Sequence, residues 1–166
     1  MGSKYKTKKN ELPKMIKNAE ALNGKRVNVG CDWANAWLAG IHEYGCRIKV
    51  TPKMRAYLHG QGLHLKESTT EIVIPERSFL RAGWDANYSE VKKKTDSLLP
   101  AVISGKMLPH AFCETLGLLL STKIRTYARD LNSPGNHPFT ADRKGSSNPL
   151  VDTGAMIGSI DYEVEG

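Results

Sequence analysis

Ile72-Val73-Ile74-Pro75-Glu76-Arg77-Ser78-Phe79-Leu80-Arg81 changes its period midway. Ile72 and Ile74 alternate around Val73 as in a strand, and Pro75 ends the alternation. From Arg77 the apolar residues follow helical spacing instead: Leu80, Trp84, Tyr88 and Val91 form a stripe. Lys92 to Lys94 lie near the far end of this predicted helix, and Pro100 and Gly105 are expected to interrupt it. One short stretch thus sets a strand directly before a helix, which requires a fold that mixes the two.

Working downstream, Pro109 suits the first turn of the longest predicted helix, which runs to about Leu131. Its stripe is Phe112, Leu116, Leu119, Leu120, Ile124, Tyr127 and Leu131, and core packing is its expected use. Residues 132–149 read as one long loop, with Ser133-Pro134-Gly135-Asn136 at its start and Lys144-Gly145-Ser146-Ser147-Asn148-Pro149 at its end. A loop of that length in a compact domain has a function or no fixed structure, and in an assembly protein it would clasp a neighbour. Asp152 or Thr153 can cap a short helix through Gly158. Ser159 to Glu165 alternates Ile160, Tyr162 and Val164 against Asp161, Glu163 and Glu165, a strand with one buried face.

Working upstream, Leu12, Met15, Ile16, Ala19 and Leu22 recur at helical spacing, and Gly24 is a plausible stop. Val27 and Val29 suggest a short strand, and Trp33 to Tyr44 a short helix ending at Gly45. Ile48 and Val50 alternate with Arg47 and Lys49. Pro52 suits the start of a helical piece through Leu58, and Gly60 and Gly62 break the chain. Residues 47–75 therefore read as a β-rich extension, a hairpin with a helical tip. The element order predicts an α+β fold: a small antiparallel sheet packed with two or three helices, plus that extension.

The chain has 166 residues, 40% of them hydrophobic and 25% charged, which favours one domain with a real core. Its net charge of +7 is unevenly placed. Residues 1–26 hold eight basic side chains, including Lys4, Lys6, Lys8 and Lys9, against Glu11 and Glu20, so the remainder is nearly neutral. Residues 1–10 are read as a basic flexible arm and 11–166 as a single domain. A solvated tail is the ordinary reading of such an arm; contact with DNA phosphates or an acidic partner is the sharper one. Cys31, Cys46 and Cys113 are odd in number and widely spaced, which points to buried thiols of a reducing compartment. The lysines of the N-terminus have no apolar run behind them, so no signal peptide is expected, and Lys6 stands where a myristoylation motif wants Ser or Thr. Leu116 to Leu120 is far too short to span a membrane.

His42-Glu43 starts like a zinc-protease helix, but the second histidine is replaced by Cys46. His42, His59 and His64 have no spacing that supports a metal site, and Glu76 with Asp85 makes no convincing acid pair. There is no nucleophile elbow and no phosphate-binding loop. No catalytic set, metal or cofactor is expected, and the chain is read as a non-enzyme. Arg77 and Phe79 have two readings. In one, Arg77 caps a turn or pairs with a carboxylate while Phe79 packs. In the other, both are presented at a subunit interface, where their residue types are enriched. Asp152-Thr153-Gly154 has a local account in capping and close backbone approach.

Three boxes, in order, carry a resemblance: Ala39-Gly40-Ile41-His42-Glu43-Tyr44-Gly45, Ile74-Pro75-Glu76-Arg77-Ser78-Phe79-Leu80-Arg81, and Pro149-Leu150-Val151-Asp152-Thr153-Gly154 running on to Ser159-Ile160. With matching helices between the second and third, the chain from residue 27 to 165 resembles the neck and tail-completion proteins of long-tailed phages, the tail-component and virion-morphogenesis group that includes the Mu G-like proteins. Ser78 replaces a frequent Pro, the 47–70 stretch is longer than in compact relatives, and the basic arm lies outside the pattern. The resemblance implies a structural virion protein without cofactor, placed in the neck between head-closure or connector proteins and the tail terminator. It implies a sixfold or twelvefold ring of the chain with itself around the DNA channel, assembled in the host cytoplasm and without a membrane. Arg77, Phe79, Arg81, His42, Tyr44, Asp152 and Thr153 are then the expected interface residues. Lys4, Lys6, Lys8 and Lys9 are the expected contacts to channel DNA. The rival expectation is a nucleic-acid-binding protein that uses the basic arm.

Overall fold

The computed structural model describes residues 10–166. The arm lysines Lys4, Lys6, Lys8 and Lys9 fall outside the described residues. The fold is α+β as expected. In chain order it runs α1 (Leu12–Glu20), β1 (Arg26–Cys31), α2 (Trp33–Tyr44), β2 (Cys46–Lys49), α3 (Pro52–Gly60), β3 (Glu71–Ile74), α4 (Leu80–Ile103), α5 (Pro109–Asp130), α6 (Pro138–Lys144), α7 (Ala155–Gly158) and β4 (Ile160–Glu165).

The strands form two separate antiparallel pairs. β1 pairs with β4, with Val29 opposite Tyr162 and Cys31 opposite Ile160. β2 pairs with β3, with Cys46 opposite Ile74 and Lys49 opposite Glu71. The second pair, with α3 at its tip, is the extension that the alternation at 47–50 and 72–74 predicts. The body is layered: α5 lies across β1–β4, α4 lies on α5, and α2 packs beside β1. The main core gathers Phe79, Ile124, Ala128, Leu150, Met156, Ile157 and Ile160; a second cluster joins Val102, Phe112 and Cys113 with Leu22, Val27 and Val164. Gly117 decides how closely α5 approaches the sheet. A Cβ there would overlap the ring of Tyr162, so only glycine lets this helix seat on β4.

Several expectations need correction. α4 does not turn the Trp84–Tyr88 side inward: both rings are exposed, and the buried line is Gly83, Val91 and Val102. Gly83 has no side chain to hold α5 away, so Ile124 and Tyr127 come close to the α4 backbone there. α4 also runs through Pro100 to Ile103. Proline removes one amide donor, but the burial of Val102 beyond it holds the last turn in place. The 132–149 stretch is not bare loop; it contains α6, begun by Pro138 and stopped by Gly145 in the left-handed region. Of the three thiols only Cys113 is buried; Cys31 and Cys46 are half-buried. No helix among the described residues is long and apolar enough to cross a membrane.

Candidate functional site

The first two sequence boxes meet at the start of α4. Asp32 caps α2 by accepting the Asn35 amide at 2.9 Å. The helix then carries Glu43 inward at its far end, where the side chain is almost fully buried. Its carboxylate faces the free amides of α4, which no side chain of α4's own first turn caps. One oxygen accepts Phe79 and Leu80 N–H at 2.8 and 2.9 Å. The other accepts Arg81 N–H at 3.0 Å and the Ser78 hydroxyl at 2.8 Å. The Arg81 guanidinium adds an ion pair at 2.9 Å and donates to the Glu43 carbonyl. Burial alone would raise the Glu43 carboxyl, but these donors together hold it below the usual carboxylate range. Arg81 also pairs with Glu76 and lies over the Tyr44 ring, 4.7 Å from its centroid.

Arg77 points the other way, into the 132–149 segment. Its Nε donates to the Pro134 carbonyl at 2.7 Å and its Nη2 to the Gly135 carbonyl at 2.9 Å and Asn136 Oδ1 at 3.2 Å. Its backbone amide donates to the His42 carbonyl at 2.7 Å. His42 Nδ1 lies 3.4 Å from the same guanidinium. Burial, then the charges of Arg77 and Lys144, push the His42 imidazole down to about 4, so at neutral pH it is uncharged and can accept from Arg77.

The third box joins through Asn148. Its Oδ1 accepts the amides of Leu150 and Val151 at 2.8 and 3.0 Å, and its Nδ2 donates to the Arg129 carbonyl at the end of α5. Lys144 reaches the carbonyls of Asn148 and Pro149, each at 3.3 Å, and Asn136 links Arg77 to the Asn148 carbonyl.

The expected interface residues therefore divide. Arg77 and Phe79 are inside the subunit, at 4% and 0% exposure, and cannot be presented to a neighbour as they stand. The interface reading of these two is corrected to a structural one: Phe79 fills the core and Arg77 ties the long segment down. His42 belongs to the same tie. Arg81 and Tyr44 remain at the surface, together. Asp152 is exposed and does not cap α7; the cap position is Gly154 at φ +83, and Thr153 Oγ1 accepts only the Ala155 amide. Glu43, Arg55 and Asn148 carry much of the bonding; the sequence offers Glu43 and Asn148 only as members of motifs, and Arg55 not at all. For Asn148 the signal was there, an Asn before Pro that can turn the chain by bonding its own backbone two residues on.

The extension has its own organiser. Arg55 of α3 donates to the carbonyls of Leu65, Lys66 and Thr69 at 3.1, 2.9 and 2.7 Å, holding the loop that leads into β3 to the tip helix. His59 and His64 do meet there, with Nδ1 atoms 2.7 Å apart, while His42 lies elsewhere. Among the described residues no group of three or more His, Cys, Asp or Glu side chains could hold a metal ion. No family model, no curated protein and no solved structure matches this chain.

Proposed function

We propose that this chain is a structural protein of the phage neck, acting in tail completion or head–tail joining as a ring between head-closure and tail-terminator proteins. One observation carries the reading beyond the pattern of residues. The first two boxes meet directly, through Glu43 on the start of α4, and the third is tied to them through residues outside all three: Arg77 to residues 134–136, Asn136 to the Asn148 carbonyl, and Asn148 to the amides of Leu150 and Val151. The polar groups gathered there are spent on backbone amides and carbonyls, which suits a scaffold. The test is electron microscopy of lysates from a phage with a stop codon early in this gene. Filled heads beside unattached tails are expected; normal infectious particles would overturn the reading.

A second reading rests on the charge asymmetry of residues 1–26: a nucleic-acid-binding protein that works through its arm. Deleting residues 1–10 discriminates. Loss of a salt-dependent DNA affinity, with assembly unaffected, favours this reading over the first.

A further inference from the structure

The way the chain turns at the tip of the extension brings two imidazoles together. α3 ends at Gly60, and the turn after it reverses the chain. Gly62, at φ +88, donates to the His59 carbonyl at 3.0 Å, and Leu63 donates to the Leu58 carbonyl at 2.9 Å. That φ lies in the left-handed region, which favours glycine. The segment beyond is held by Arg55, which donates to the carbonyls of Leu65 and Lys66. His64 is therefore fixed from both sides, through Leu63 before it and Leu65 after it, and it returns beside His59 on the last turn of α3. Ligands held in this way by their own backbone neighbours are pre-organised.

The two Nδ1 atoms are 2.7 Å apart, so one ring donates to the other. Both side chains are exposed, where water competes for the same donor and lone pair, and the bond adds little. The ring centroids are 4.4 Å apart and the planes stand at 71°, so the rings do not meet head-on. What the arrangement supplies is two ring nitrogens side by side at an open cleft of about 530 Å³, lined also by Pro52, Arg55, Ala56 and Leu65. Metal–imidazole bonds of about 2.0 Å set two nitrogens about 2.8 Å apart when they meet the ion at right angles, and about 3.3 Å apart on a tetrahedral ion. The spacing here fits the right angle.

We propose that His59 and His64 bind, through their Nδ1 atoms, a divalent transition-metal ion that takes ligands at right angles, Ni²⁺ or Cu²⁺, with water in the remaining positions. The ring that donates in the metal-free pair moves its proton to Nε2; the accepting ring already carries its proton there, so the pair loses none. Two protein ligands make a modest site. Arg55 brings a positive charge to the same cleft, although its donors are turned to the carbonyls of Leu65, Lys66 and Thr69. That charge works against any dication and favours the ions that nitrogen ligands hold most strongly, an order that rises through Ni²⁺ to Cu²⁺ and falls at Zn²⁺. The ion would staple residues 59–64 and hold the turn that carries Gln61, whose side chain accepts from Arg143 of α6 at 2.6 Å. The site stands whether or not the protein belongs to a phage neck.

The test is calorimetric titration of the full, metal-free chain with Ni²⁺, chosen because the free thiols of Cys31 and Cys46 can reduce Cu²⁺. One Ni²⁺ per chain is expected, bound more tightly than Zn²⁺. His59→Ala and His64→Ala should each weaken it at least about tenfold. His110→Ala, at the exposed His110–Glu114 pair, should leave it unchanged. Hydrogen exchange at residues 58–65 should slow on adding Ni²⁺ to the wild type and to neither tip variant. No binding of Ni²⁺, binding that survives both tip variants, binding lost with His110, or Zn²⁺ held more tightly than Ni²⁺ would each overturn the proposal. Both tip histidines are exposed, and circular dichroism checks that their variants fold. If an alanine variant unfolds, His59→Gln and His64→Gln carry the same test.

Discussion

The two sheets are alike in build and opposite in support. Each is a single antiparallel pair, and a two-stranded ribbon alone is marginal in water. β1–β4 is backed by α5 along its length and buries Ile160 completely. β2–β3 buries no residue; its exposed side shows Arg47, Lys49, Glu71 and Val73, and its strands chiefly contact each other. The difference lies in where stability comes from. The body draws on removal of apolar surface from water, whereas the extension relies on strand pairing and the three carbonyl bonds of Arg55. Such a region opens locally far more readily than the domain unfolds.

Mutations should make this contrast measurable. Phe79→Ala removes a fully buried ring from the body and should cost about 4 kcal/mol in urea unfolding; a loss below 1 kcal/mol would mean that the core is not where the structure places it. Glu43→Ala strips the start of α4 of its acceptor and should cost about 3 kcal/mol by the same assay. Arg77→Ala should cost about 2 kcal/mol and raise hydrogen exchange across residues 132–149 before the rest of the body responds. Arg55→Ala should cost less than about 1 kcal/mol globally while exchange at 46–74 rises sharply. Equal loosening of β1–β4 would erase the distinction between the sheets.

His42 gives an effect confined to acid pH. In the unfolded chain it takes up a proton below about pH 6.5; in the folded chain it does so only near 4. The unfolded state therefore binds more protons in that window, and stability falls as pH drops from 6.5 to about 4. Replacing His42 with Gln should flatten that part of the wild-type pH profile. A variant with the same slope as wild type would show that burial and the charges of Arg77 and Lys144 do not hold the ring neutral.

Legibility in the sequence follows how local each signal is. α5 could be read because Phe112, Leu116, Leu120 and Ile124 repeat at the helical period and do pack inward. The inward face of α4 was misread because Trp84 and Tyr88 are apolar, while Gly83, which sets the contact, adds no apolar surface of its own. α6 was missed although Pro138 and Gly145 bracket it; seven residues give too short a pattern to register against a polar loop. Glu43 gave no sign of capping because the helix it caps begins 37 residues downstream. The partners of Arg77 are backbone carbonyls, which leave no mark on residue type. The first two boxes could be seen before their reason could, since each holds half of the bonds that join Glu43 to residues 78–81.

The pairing of β1 with β4 has a consequence for synthesis. Arg26–Cys31 pairs with Ile160–Glu165, so the sheet under α5 cannot begin to form until residue 160 and those after it emerge from the ribosome. Until then α5 has formed locally but its sheet-facing side, Gly117 included, has nothing to cover it. The body of the molecule therefore closes late and at once, whereas the β2–α3–β3 hairpin, whose strands are near neighbours in sequence, can form while the chain is still growing.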